Sequence, residues 1–126
     1  MLLCMHLYDS SKEYLFHLQT TSSADAKRMW RQSIKEKWNY ECAYCESDEN
    51  LTLDHITPRS KGGSDRVTNV LCACHSCNQS KGHQSWYDWY MQQSFFTTEK
   101  LSAIIEWQKQ INGNEYYTYH PRRNII

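Results

Sequence analysis

The sequence predicts a small α+β domain built on a β-loop-β-α unit. Three observations predict it. First, Leu51-Thr52-Leu53 and Val70-Leu71-Cys72 are short β-like runs on either side of an irregular loop, whose turns are set by Pro58 and Gly62-Gly63. Second, the cysteine pairs Cys42/Cys45 and Cys74/Cys77, each spaced C-x2-C, bracket that unit, and the second pair opens a helix from about Ser76. Third, apolar residues recur at helical spacing on both flanks of the unit.

Residues 1–22 carry two period-2 runs, Leu3/Met5/Leu7 and Tyr14/Phe16/Leu18, around the turn-forming Asp9-Ser10-Ser11, and predict a β-hairpin. Residues 23–41 follow as a helix in which Ala26, Met29/Trp30 and Ile34 share a face, with Ser22 or Ser23 as its cap. Residues 42–83 form the cysteine-bracketed core. Residues 84–126 contain two amphipathic helices, SWYDWYMQQSFF and TTEKLSAIIEWQKQIN. The second is expected to have Thr98 as cap, Glu99 in its first turn and Gly113 at its end. A polar-aromatic tail with Arg122-Arg123 closes the chain. No repeat, low-complexity tract or long linker interrupts it, so residues 1–126 are expected to form a single domain with decorations.

With 126 residues and 40% hydrophobic content, one modest core is the most the chain can build, and staples would help it. The opening MLLCMHLYDS has neither a basic n-region nor a cleavage site, and no stretch approaches the roughly 20 apolar residues of a membrane span. The expected compartment is therefore a reducing cytoplasm, where clustered cysteines favour metal over disulfides. A formal net charge of zero excludes a strongly basic nucleic-acid coat, so any such attraction must come from a local patch. The five Trp and nine Tyr are read as packing residues before base-stacking ones.

Cys42, Cys45, Cys74 and Cys77 supply four thiolates, a closed tetrahedral set suited to structural Zn²⁺ that leaves no open position for a substrate. Cys4 is expected to be a small buried hydrophobe, and Cys72, two residues before Cys74, could compete as a ligand, although the spacing favours Cys74. The zinc would join segments on either side of residues 46–73, so the intervening loop need not fold on burial alone. Within it, Asp54 and His55 end the first strand and, as neighbours on a strand, should face opposite sides.

In order, these residues are an Asp-His pair, a Gly-Gly loop, an Asn fourteen residues after the His, and C-x2-C-N-x2-K-G. From Cys42 to Gly82 this arrangement resembles the HNH endonucleases, the ββα-metal nucleases, in their version with two zinc knuckles. The resemblance implies that His55 is the general base that activates water and that Asp54 and Asn78 bind one divalent cation, Mg²⁺ or Mn²⁺. It gives Asn69 the role of orienting the base's ring. It also makes Lys81, and less strongly Arg59, Lys61 and Arg66, candidate contacts to phosphate. Asn78 stands where the family name has its last histidine, and an amide oxygen there favours a hard cation. Gly82 occupies the position of a further metal-binding His in some members. His83 comes one residue late, and His75 is expected to face solvent or phosphate.

The leading expectation is thus a metal-dependent DNA endonuclease acting on double-stranded DNA, by nicking or double-strand cleavage, with products bearing 5′-phosphate and 3′-hydroxyl ends. The resemblance is compatible with a phage, mobile-element or defence setting. The rival is a zinc-stapled module that binds nucleic acid or protein without cutting, although such a module has no need of His55, Asn69 and Asn78 at these spacings. A thiol-redox or zinc-storage protein would leave the asparagines without a role. Trp86, Trp89 and Trp107 on the C-terminal helices are expected to pack on the core or on a partner, a second copy included.

Overall fold

The computed structural model of the chain describes residues 8–12 and 22–109. The two strands of the expected hairpin, Cys4, Gly113 and the Arg122-Arg123 tail lie outside them. Of the three residues of the expected turn, 9 and 10 bend and 11 is helical with 12.

Helix α1, Ser23–Lys37, is capped by Ser22, whose hydroxyl accepts a hydrogen bond from the Asp25 amide at 3.1 Å. Its buried residues Ala26, Trp30 and Ile34 recur every four positions and form one stripe toward the core. The chain turns at Asn39 and Tyr40, both with positive φ, and enters the first cysteine knuckle. There the Ala43 amide donates to the Cys72 carbonyl at 2.8 Å, docking the knuckle onto the sheet.

Strand β1, Leu51–His55, pairs antiparallel with β2, Val70–Cys74, in a register running from Leu51 opposite Cys74 to His55 opposite Val70. Every residue of β2 is buried, whereas on β1 only Asp54 is. The connecting loop contains two single 3₁₀ turns, Arg59–Lys61 and Val67–Asn69. Helix α2, His75–Lys81, follows β2 without a linker, one residue earlier than expected, because the Cys74 sulfur caps it by accepting from the Cys77 amide at 3.4 Å. Helix, strand and knuckle therefore share one residue.

Two helices cover the core from the C-terminal side. Helix α3, Trp86–Met91, is shorter than expected. The chain leaves it so that Phe95 and Phe96 can fold back on Tyr90, with ring centroids 6.3 and 4.9 Å away. Helix α4, Thr98–Lys109, is capped by Thr97 and not Thr98: Thr97 Oγ1 accepts from the Lys100 amide at 3.1 Å. Trp107 anchors α4, its Nε1 donating to the carbonyls of Val67 and Val70 at 3.0 and 2.8 Å. Trp89 and Trp107 are buried and Trp86 is half-buried, so these rings pack as expected. Ile34, Tyr44, Ile56, Val67, Leu71 and Ile104 form the fully buried centre. Among the described residues no helix is long and apolar enough to cross a membrane.

Candidate functional site

The four expected sulfurs converge. Those of Cys42, Cys45, Cys74 and Cys77 all lie within 4.8 Å of one another, and Cys45 and Cys74 are 3.7 Å apart. A tetrahedron of Zn–S bonds of about 2.3 Å has edges of about 3.8 Å, so the cluster is close to the size such an ion requires. Cys42 accepts from the amides of Tyr44 and Cys45, and Cys74 from that of Cys77, each at 3.4 Å, which orients sulfur lone pairs and eases negative charge. The Cys42 thiol is pulled down to about 5 by the hydrogen bond from Cys77 and by backbone N–H groups. Burial pushes Cys45 up to about 11, and donation to Cys42 raises Cys77. One thiolate thus forms at its neighbours' expense, a conflict that a divalent cation among the four would remove. Cys72 stands outside the cluster, fully buried, its thiol pushed up to about 11 by that burial.

Asp54 and His55, neighbours on β1, have different partners: Asp54 is buried and His55 half-buried. Asp54 is 5% exposed, and its carboxylate accepts from the Tyr44 hydroxyl at 3.2 Å and from Lys81 Nζ at 3.3 Å. Burial raises the carboxyl above its ordinary range, against the pull of the Lys81 charge. Lys81, a candidate for phosphate or solvent from its sequence, has a fully buried side chain instead. Its stem lies within the domain, its ammonium pairs with Asp54, and it donates to the His55 carbonyl at 3.0 Å. The sequence marks the lysine as charged, and only the packing of α2 on β1 shows where that charge goes.

The His55 side chain is 31% exposed, and its Nε2 lies 2.8 Å from Asp65 Oδ1. Asn69 does not meet that ring in the hydrogen-bond network. Its Oδ1 accepts from the Thr57 amide at 2.9 Å, and its Nδ2 donates to the carbonyls of Thr57 and Ser64 at 3.0 and 2.8 Å. Its own carbonyl accepts from the Ile56 amide at 2.8 Å. Asn69 therefore holds the loop that leaves His55. Asn78 leans from α2 onto β1, its Nδ2 donating to Thr52 Oγ1 at 3.0 Å and the Leu53 carbonyl at 3.4 Å. Its amide oxygen is the atom that could hold a cation, beside the backbone that carries Asp54.

The remaining cations differ in setting. Arg59 and Lys61 are exposed at the loop rim, with Arg59 Nε 3.5 Å from Asp65. Arg66 pairs at 3.2 Å with the buried Asp9, which ties the loop to residues 8–12. His75 is exposed, and His83 Nδ1 meets Ser60 Oγ at 3.1 Å. Sequence reasoning misses three residues. Tyr44 and Asp65 touch the Asp-His pair, and Thr52 holds Asn78. Tyr44 is hidden inside a cysteine knuckle and Asp65 inside a turn-rich loop. Thr52 alone has a local signal, standing two residues before Asp54 on the strand.

Comparison with known proteins matches the segment that carries this site. The sequence profile described as HNH endonuclease matches residues 42–92. Over 87 residues, 66% of this chain, it is 37% identical to the CRISPR-associated endonuclease Cas9 of Corynebacterium diphtheriae, covering 8% of that protein. Over 89 residues, 60% of this chain, it is 30% identical to the Bacillus subtilis protein named "SPbeta prophage-derived putative HNH endonuclease YoqL", covering 38% of its length. The match begins at the first zinc-knuckle cysteine and runs through β1, β2, α2 and α3. With the ββα core and the cysteine cluster, it identifies residues 42–92 as a segment of HNH endonuclease type.

Proposed function

We propose that the chain is a metal-dependent DNA endonuclease in which His55 takes a proton from the attacking water and Asp54 and Asn78 hold one Mg²⁺ or Mn²⁺. The observation that carries this reading is the placement of three groups at one end of the sheet. The imidazole and the carboxylate occupy adjacent positions of β1, and the Asn78 amide is hydrogen-bonded to the strand directly before them. A carboxylate and an amide oxygen are hard donors that suit such a cation, which when bound supplies charge stabilisation to the phosphate and the leaving 3′ oxygen. Asp54 offers its carboxylate for this role: Tyr44 fixes its direction, and the Lys81 charge opposes the rise that burial imposes on it. Lys81 keeps a positive charge on that carboxylate and pins the His55 carbonyl, so it orients the pair instead of gripping DNA. Arg59 and Lys61 at the exposed rim are the stronger candidates for phosphate, with Arg66 behind them. The four cysteines would hold zinc as a scaffold, apart from the chemistry. The expected products carry 5′-phosphate and 3′-hydroxyl ends.

The test is relaxation of supercoiled plasmid by the wild type and His55→Ala, each with EDTA, Mg²⁺ or Mn²⁺, with zinc content measured in parallel. Cation-dependent nicking that falls by about 10² or more in His55→Ala at unchanged zinc supports the reading. DNA binding without cleavage under every cation would favour the non-cutting module.

A further inference from the structure

Asp65 lies outside the expected Asp-His-Asn constellation, yet its carboxylate is the group that meets the His55 ring. A carboxylate offers only acceptors, so His55 Nε2 carries the hydrogen in this contact, and in the neutral imidazole that places the lone pair on the second ring nitrogen, Nδ1. We propose that Asp65 is a positioning residue for His55, holding the ring through Nε2–H so that Nδ1 faces the attacking water. This rests on the nuclease reading. In the hydrolytic step the water's proton passes to Nδ1 and its oxygen bonds to phosphorus. The bond from phosphorus to the 3′ oxygen then breaks, with the electron pair leaving on that oxygen. The imidazolium that forms stands against the Asp65 carboxylate, which favours its formation as a fixed negative charge.

Three observations separate this role from that of an ordinary surface acid. The contact is short, 2.8 Å, and spans ten residues from strand to loop. Arg59 Nε approaches the same oxygen at 3.5 Å, so the carboxylate has two partners. The loop itself is held by Asn69 and by the Pro58 carbonyl, which accepts from the Lys61 and Gly63 amides, so its shape does not depend on Asp65. An acid 64% exposed among the rim cations also works against DNA binding. Its removal should therefore not raise KM, whereas loss of ring orientation should lower kcat.

The experiment uses the full chain loaded with zinc and labelled with ¹⁵N. A hydrogen-bonded Nε2–H proton of His55, assigned by its loss in His55→Ala, is expected in the wild type. It should vanish in Asp65→Ala and persist at a shifted position in Asp65→Asn, whose amide oxygen still accepts. On Mg²⁺ and plasmid, Asp65→Ala is expected to lower kcat roughly tenfold or more without raising KM, and Asp65→Asn to recover part of the loss. Zinc content and thermal midpoint should stay at wild-type values in both. A wild type without the protected proton, or an Asp65→Ala that keeps it, overturns the inference. So does an unchanged kcat in that variant, or an increased one, which would make Asp65 a block on the ring. Absence of cleavage by the wild type counts against the nuclease reading, and the proton resonance, observed without turnover, decides the Asp65–His55 contact separately.

Discussion

Gly63 is where the loop after His55 is most tightly built, and its replacement tests how that loop is held. A Cβ at this position would overlap the Thr57 carbonyl oxygen and stand 2.7 Å from the Thr57 carbonyl carbon and 2.9 Å from Asn69 Nδ2. Thr57 cannot yield alone, because Asn69 grips its amide and carbonyl and also holds the Ser64 carbonyl. Gly63→Ala must therefore open the Asn69 clamp. Three hydrogen bonds at about 1 kcal/mol net each set a ceiling of about 3 kcal/mol, and partial solvation of Asn69 brings the expected loss to about 2. At roughly 4–8 °C per kcal/mol for a small domain, the thermal midpoint should fall by about 10 °C. The assay is thermal and urea unfolding of the zinc-loaded chain. Asn69→Ala removes the same three bonds and should cost about as much. Since both changes disable one clamp, the double variant should be little worse than the poorer single. A Gly63→Ala chain of wild-type stability, or costs that simply add, would refute the clamp.

Three further outcomes are expected. Cys45→Ser removes one of four converging thiolates and should lose zinc and most of its stability; a stable, metal-free, fully active variant would overturn the scaffold. Asn78→Ala should weaken Mg²⁺ dependence and cleavage while zinc content, measured on the same sample, stays constant; parallel zinc loss would place Asn78 in the wrong site. Lys81→Met leaves the Asp54 carboxylate buried without its cation and should cost about 3–5 kcal/mol at neutral pH. Burial already raises that carboxyl, and loss of Lys81 raises it further. A raised folded value stabilises only while the group stays protonated, so the deficit against wild type should shrink toward the ordinary carboxylate range and grow as pH rises. Paired urea unfolding across that range checks this, and a deficit independent of pH would assign the loss to packing.

Much of the fold and the cysteine site is legible in the sequence because it is written in local patterns. The spacing of two C-x2-C pairs, a four-residue apolar stripe from Ala26 to Ile34 and a turn-rich loop between two β-like runs each report on neighbours in sequence. The misses fall where a residue's meaning depends on something distant. Lys81 and Asp54 are 27 residues apart, and no periodicity says that an ammonium will be buried to meet a carboxylate. Asp65 reads as a solvated loop acid until β1 brings His55 to it. Both threonines before α4 suit the cap position, and only the hydrogen bond from Lys100 to Thr97 separates Thr97 from Thr98. The resemblance links Asn69 to the His55 ring, whereas its bonds run to Thr57 and Ser64.

The way Tyr44 is placed explains why the core needs its C-terminal helices. Tyr44 lies between Cys42 and Cys45, fully buried, and burial raises its hydroxyl well above the ordinary phenol range, with Asp54 adding to the effect. It is thus a firm donor to Asp54 at any pH the domain meets. Its ring packs against Trp89 and Tyr90 of α3, with centroids 4.9 and 5.5 Å away. Trp89 in turn donates to Ser80 Oγ on α2, one residue before Lys81. The carboxylate is therefore held from the knuckle side by a tyrosine and from the helix side by a lysine, and α3 braces both. Loosening α3 at Trp89 should disturb Asp54 before it disturbs the sheet, which is consistent with a family match that extends past Gly82 to include this helix.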